Sequence, residues 1–188
     1  MKIKSLSLIS LVSVLTGASA ANAGVLADFY IGAMGGIGGQ SLMAEHKNHS
    51  DASRVVGGVL GMDIPFFRIE GEYDYFDSSK LNTHAALLNA YAKLPTSFII
   101  PYIGVGAGVV FGGNHKFTEN NIQTKYNIHT TTAYQAMLGT TIDILALPLK
   151  FDVEGRILYA QDIYEVPGTN IKPDMLQYGA RVKARLIF

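Results

Sequence analysis

A chain of 188 residues has room for one domain with a sizeable core and little room for a second. Its 15 basic and 15 acidic residues cancel, so no single-sign field argues for nucleic acid, and the absence of cysteine excludes disulfides, thiol nucleophiles and thiolate metal sites. Charged residues make up only 16%, below the roughly 25% usual for soluble domains, which points to a surface that does not wholly face water.

The chain starts with Lys2 and Lys4, an apolar stretch from Leu6 to Leu15, and the small-residue segment "TGASAANAG". This is the layout of a secretory signal, expected over residues 1–23 with cleavage after Ala23; the Ala18-Ser19-Ala20 site also fits. The apolar run is well short of the ~20 residues that a spanning helix needs. Residues 24–188 are then the mature domain.

Period-2 alternation recurs along that domain, broken by Gly/Pro/Asn/Asp/Ser-rich segments, and marks eight strands. The first, Asp28 to Gly39, carries Phe29, Ile31, Ala33 and Ile37 on one face. The second, Arg54 to Met62, is small and apolar and ends at a "DIPF" turn. In the third, "FRIEGEYDYF", Arg68, Glu70, Glu72 and Asp74 alternate with Phe67, Ile69, Gly71, Tyr73 and Tyr75. The fourth, His84 to Leu94, sets Ala86, Leu88, Ala90 and Ala92 against Asn89 and Lys93. The fifth, Phe98 to Phe111, alternates Ile103, Val105, Ala107 and Val109 with Gly104, Gly106 and Gly108 in the row of Tyr102. The sixth, Thr132 to Ile144, sets Tyr134, Ala136, Leu138 and Ile142 against Gln135, Thr141 and Asp143. The seventh, Leu149 to Ala160, opposes Lys150, Asp152, Glu154 and Arg156 to Leu149, Phe151, Val153, Ile157 and Tyr159. The eighth, Met175 to Phe188, opposes Gln177, Arg181, Lys183 and Arg185 to Leu176, Tyr178, Ala180, Val182, Leu186 and Phe188.

Connections after the second, fourth and sixth strands are short, whereas the others are mostly long and polar, "QSLMAEHKNHSDAS" and "GGNHKFTENNIQTKYNIHT" among them. Short turns at one end and long loops at the other predict an all-β, eight-stranded, antiparallel up-and-down transmembrane barrel with short periplasmic turns and longer extracellular loops. Its length agrees: ten residue steps from Tyr178 to Phe188, at ~3.3 Å each and tilted by ~40°, rise about 25 Å, the height of the apolar band of such barrels. The near balance of sign between Arg68, Lys93, Lys150, Arg156, Arg181, Lys183 and Arg185 and Glu70, Glu72, Asp74, Asp143, Asp152 and Glu154 suits an enclosed interior, where a charge is tolerable only when paired. These residues are therefore expected to form a salt-bridged plug, with glycines 104, 106 and 108 leaving room for long side chains, and Tyr73, Tyr75, Tyr159 and Tyr178 at the membrane interfaces.

"FYIGAMGG", "NAYAKLP…PYIGVGAGV" and the terminal "YGARVKARLIF" resemble the small eight-stranded outer-membrane proteins of the opacity-protein and surface-antigen type, over essentially the whole mature chain. The resemblance implies the cell outer membrane as location and its lipid as surroundings. It also implies passage past periplasmic chaperones and insertion by the barrel-assembly machinery, with Tyr178, Gly179, Leu186 and Phe188 as the signal that machinery reads. It implies no catalytic residue and no cofactor.

Other constellations favour plainer readings. His46 and His49 beside Glu45 lack the three or four converging ligands of a metal site, and "GVGAGVVFGG" lacks the third glycine of a dinucleotide loop. His84 with Asp77 and Ser79, or His129 with Tyr134, would be the candidates for a lipid-modifying set at the outer rim. The expected function is non-enzymatic: an outer-membrane barrel that displays loops for envelope integrity and for adhesion to host or matrix ligands, with Phe117, Ile122, Tyr126 and Ile128 of the longest loop as contact residues. A narrow porin, a lipid-modifying enzyme and a soluble lipocalin-like barrel are the alternatives.

Overall fold

The computed structural model describes residues 27–44, 47–78, 82–94, 96, 98–112, 114–119, 122–127, 130–144, 147–163 and 174–188, without the side chains of 42–51, 114–119 and 122–127. The expected signal, Glu45, His46, Ser79, Ile128 and His129 lie outside the described residues.

Among the described residues there are ten strands: β1 (Asp28–Ala44), β2 (Lys47–Asp63), β3 (Phe67–Ser78), β4 (Thr83–Lys93), β5 (Ile99–Phe111), β6 (Asn114–Glu119), β7 (Ile122–Asn127), β8 (Thr131–Asp143), β9 (Leu149–Ala160) and β10 (Asp174–Ile187). Eight of them close into a barrel in the order β1-β10-β9-β8-β5-β4-β3-β2, every pairing antiparallel. Chain neighbours are sheet neighbours throughout, apart from the inserted β6–β7 hairpin. Closure joins β1 to β10 with Tyr30 opposite Ile187, and the Phe188 amide donates to the Phe29 carbonyl at 2.9 Å. No strand edge is left open in the barrel, as a hydrocarbon setting requires.

Two segments read as loops are strands. Residues 40–44 and 47–53 continue β1 and β2 as a paired ribbon down to Ala44 opposite Lys47. Once register is set, extending the ladder satisfies backbone groups that a loop would leave to water. In the longest loop, β6 and β7 pair from Asn114 with Asn127 to Glu119 with Ile122. Phe, Tyr, Thr and Ile within "HKFTE" and "IQTKYN" supply the β-forming side chains that override its polar composition.

The close approach of β1 to β10 depends on glycine. A Cβ on Gly179 would sit 2.5 Å from the Ile37 carbonyl oxygen and 2.9 Å from Gly38 Cα. A side chain here would run into the backbone of the facing strand, so the seam takes a residue without one.

Candidate functional site

The inner row of each strand builds the site. Arg68, Glu70, Glu72 and Asp74 of β3 face Asp152, Glu154 and Arg156 of β9 and Arg181, Lys183 and Arg185 of β10 across the lumen, and all are buried. The opposite row, including Ile69, Tyr73, Val153, Ile157, Val182 and Leu186, is exposed. The ions are inside and the hydrocarbon groups outside.

The ions stack in layers. Nearest the short turns, Arg185 reaches Asp152 (Nε–Oδ2 2.7 Å) and Asp63 (3.1 Å), Arg68 reaches Asp152 (3.2 Å), and Lys93 pairs with Asp63. In the middle, Lys183 Nζ donates to Glu70 Oε1 at 2.7 Å. Arg181 clamps Glu72 through two parallel bonds of 2.6 and 2.9 Å, while its Nε donates to Glu154 at 2.5 Å. Towards the loops, Arg156 joins Glu72 (3.1 Å) and Asp74 (2.5 Å). The planar guanidinium fork matches a carboxylate's two oxygens, which is why arginine holds the centre. Lys150 and Asp143, expected in this network, instead meet at the turn-side rim at 3.3 Å, beside the exposed Asp28. At their place in the strand the barrel wall opens to water.

Polar side chains that the alternation of charges did not single out complete the lumen. Tyr30 and Tyr91 each donate to a different oxygen of Glu70, at 2.7 and 2.8 Å, and Tyr102 donates to Glu154 at 3.0 Å. Asn89 donates to Glu72 at 2.8 Å, and Gln135 to Asn89 at 2.7 Å. Among the described residues Arg68 Nε and Nη2 find no acceptor within hydrogen-bonding geometry, and the guanidinium lies over the rings of Tyr91 (4.0 Å) and Tyr102 (4.6 Å), whose π-faces receive its charge. The glycine row of β5 makes room, but chiefly for neutral groups. A Cβ at Gly104 would overlap the Tyr91 ring, and one at Gly106 would overlap the Asn89 amide.

At the loop end the inner rows turn apolar. Phe76 continues the row of Asp74, Leu158 and Ala160 that of Arg156, and Met175 that of Gln177. With Val55, Ala85, Leu87, Val110 and Ala133 they form one buried cluster. Ile163, beyond the end of β9, folds back into it. Asp162 adopts φ +48°, its amide donates to Asp174 Oδ1 at 3.1 Å, and this turn tucks Ile163 over the lumen. Aspartate tolerates the left-handed region better than most residues. The interior is thus an ionic column under an apolar stopper, and the salt bridges expected of the plug occupy its lower part.

The outer wall has aromatic residues at both ends. Tyr73, Tyr134 and Tyr178 are exposed towards the loops, and Phe29, Phe66, Phe67 and Phe98 towards the turns, with Ile, Leu and Val between. That is the belt arrangement of a barrel in a bilayer. Of the terminal-strand residues, Tyr178 and Leu186 look outward and Gly179 lies in the β1–β10 seam. Phe117, Ile122 and Tyr126 lie on β6 and β7 at positions whose side chains are outside the described residues. Among the described residues, no three His, Cys, Asp or Glu side chains gather as metal ligands. His84 is bonded not to Asp77 but to Tyr73, whose hydroxyl lies 2.8 Å from Nδ1.

No protein-family model matches the chain, and no curated protein is similar to it in sequence. Solved structures do match. Neisserial surface protein A aligns over 82% of this chain and 95% of its own, with 15% identity and a TM-score of 0.57. The N-terminal β-barrel domain of Pseudomonas aeruginosa OprF aligns over 82% and 96% with 13% identity and a TM-score of 0.47. Ail, the attachment invasion locus protein of Yersinia pestis, aligns over 83% and 99% with 10% identity and a TM-score of 0.45. With charges sealed inside, grease outside and no open edge, this chain has the fold of the eight-stranded outer-membrane β-barrels.

Proposed function

We propose that the protein is a non-enzymatic integral outer-membrane barrel that holds its loops at the cell surface, for envelope integrity and for contact with host or matrix ligands. The observation that carries this reading is the filled lumen. Among the described residues, five buried cations (Arg68, Arg156, Arg181, Lys183, Arg185) and the partly buried Lys93 are matched by six carboxylates (Asp63, Glu70, Glu72, Asp74, Asp152, Glu154), and the apolar cluster stands above them. A void of about 10 Å³ beside Ser53, Arg156, Gln177 and Arg181 has room for one water at most. Such an interior supports a rigid mount better than a conduit. The terminal strand, with Phe188 at its end, is in this reading the segment that the assembly machinery engages.

Two measurements test the proposal. Purified protein in planar bilayers is expected to remain electrically silent, and steady conductance would favour the narrow-porin reading. Deleting Asn114 to Asn127 is expected to leave a heat-modifiable, folded barrel while surface binding to immobilised matrix proteins falls to background. Unchanged binding by that variant would remove the hairpin from the proposal.

A further inference from the structure

The outer wall is not evenly convex. Across β1 to β5 an open concavity of about 660 Å³ faces the membrane, with the small residues Gly71, Ala86 and Ala107 and the larger Leu60, Tyr73 and Leu88 among its lining. The register brings them together: Leu60 lies opposite Gly71, Gly71 opposite Leu88, Leu88 opposite Ala107, and Tyr73 opposite Ala86. It is an open trough along the wall and not an enclosed pocket. It is continuous with the exposed apolar wall on either side, so its occupant comes from the hydrocarbon phase.

A polar anchor stands at its loop-side end. His84 lies two residues along β4 from Ala86 and so leaves the wall on the same face. Its ring packs against Tyr75 (centroids 5.0 Å apart) and is stacked on Phe111 (5.9 Å, planes 20° apart), and the Tyr73 hydroxyl meets Nδ1. The Tyr73 hydroxyl and Nδ1 share one hydrogen bond whose direction follows the tautomer; the tautomer in which Tyr73 donates leaves the ring's proton on Nε2, which has no partner among the described residues. In that tautomer the ring offers a donor in the aromatic belt, bonded to the Tyr73 that lines the trough, and the pair matches one molecule shape: an acyl chain with an acceptor oxygen at its head.

We propose that this trough is a specific site for a single membrane lipid, one acyl chain lying along Gly71, Ala86 and Ala107 and its ester or phosphate oxygen accepting from His84 Nε2. The proposal rests on the membrane reading of the barrel and adds a selective site to it.

The test is native mass spectrometry of the full chain in mild detergent doped with phosphatidylglycerol. Wild type is expected to retain one lipid. Ala86→Leu, which fills the trough, is expected to lower retention about tenfold, the equivalent of one or two buried methylenes. His84→Phe, which keeps the ring and removes the donor, is expected to lower it less. Ala180→Leu, on the exposed wall of β10, is expected to change nothing. Equal retention by wild type and Ala86→Leu would overturn the site, as would a loss with Ala180→Leu of the same size. A cross-linked dimer abolished by Ala86→Leu would overturn it in favour of a second copy. Displacement of His84-dependent retention by inorganic phosphate would place the recognised oxygen on a phosphate head, and indifference to phosphate would place it on the ester; both are forms of the proposal. Heat-modifiable mobility of wild type and every variant is read in parallel, and its absence in wild type would sink the membrane reading itself, a separate failure.

Discussion

Arg181→Ala is expected to destabilise the folded barrel by about 3–5 kcal/mol, the usual cost of removing one partner from a buried ion pair. Arg181 is 2% exposed and makes bonds of 2.5 to 2.9 Å to Glu72 and Glu154. Without it these carboxylates retain Lys183 only at longer range, 3.7 Å from Glu72 and 3.5 Å from Glu154, with Arg156 at 3.1 Å from Glu72. The alanine void adds to the penalty because the surrounding rows, fixed by the barrel's register, cannot collapse into it. The measurement is the urea midpoint of the protein refolded into vesicles, followed by heat-modifiable mobility. Glu72→Gln combined with Arg181→Ala is expected to cost less than the two single changes added together, since the pair shares one interaction. A loss below about 1 kcal/mol for Arg181→Ala would mean that water solvates the orphaned acids, as at a surface pair. The lumen would then be wet, and the channel reading would gain what the rigid-mount reading lost.

Leu138→Arg tests the other wall. Leu138 is 67% exposed, midway along β8 and level with Gly155 of the next strand. On a water-soluble barrel, such a replacement would fall within about 0.5 kcal/mol of neutral. In hydrocarbon, an arginine near the midplane of a barrel costs about 2–4 kcal/mol, falling to about 0–1 near the interface. The expected result is therefore a large loss for Leu138→Arg and a small one for Leu147→Arg, which is also exposed but lies in the turn before β9. Both are read as refolding yield and urea midpoint in the same vesicles. Equal, negligible effects at the two positions would return the molecule to the aqueous class.

The strict alternation of β3, β9 and β10 made the facing of each side chain legible, because a strand's period of two leaves only one question, which row is inside. Strand length, balanced charge and the glycine row of β5 answered it. Depth was harder to read. Phe76, Leu158 and Met175 share the parity of Asp74, Arg156 and Gln177, yet they line the apolar stopper and not the ionic column. Periodicity carries no information about where along the axis a row changes character. Asp63 escaped notice because its neighbours Ile64 and Pro65 read as a turn, although the carboxylate points back to Arg185. Partner choice was equally hidden. Arg181 and Glu72 lie 109 residues apart, and only closure of the barrel brings them together. The β6–β7 hairpin and the ribbon beyond Gln40 and Ser53 were masked by polar composition, which local pattern reading equates with loops.

The arrangement of signs has a bearing on biogenesis. Strands β3 to β9 bring Glu70, Glu72, Asp74, Asp152 and Glu154 inward against Arg68, Lys93 and Arg156, so a nascent barrel lacking β10 holds a surplus of acid. The final strand arrives carrying three bases and no acid on its inner row: Arg181, Lys183 and Arg185. It acts as the tethered counterion of everything synthesised before it. Zipping it against β1 and β9 discharges the vestibule in the same stroke that seals the wall, so premature closure around an incomplete sheet is electrostatically penalised.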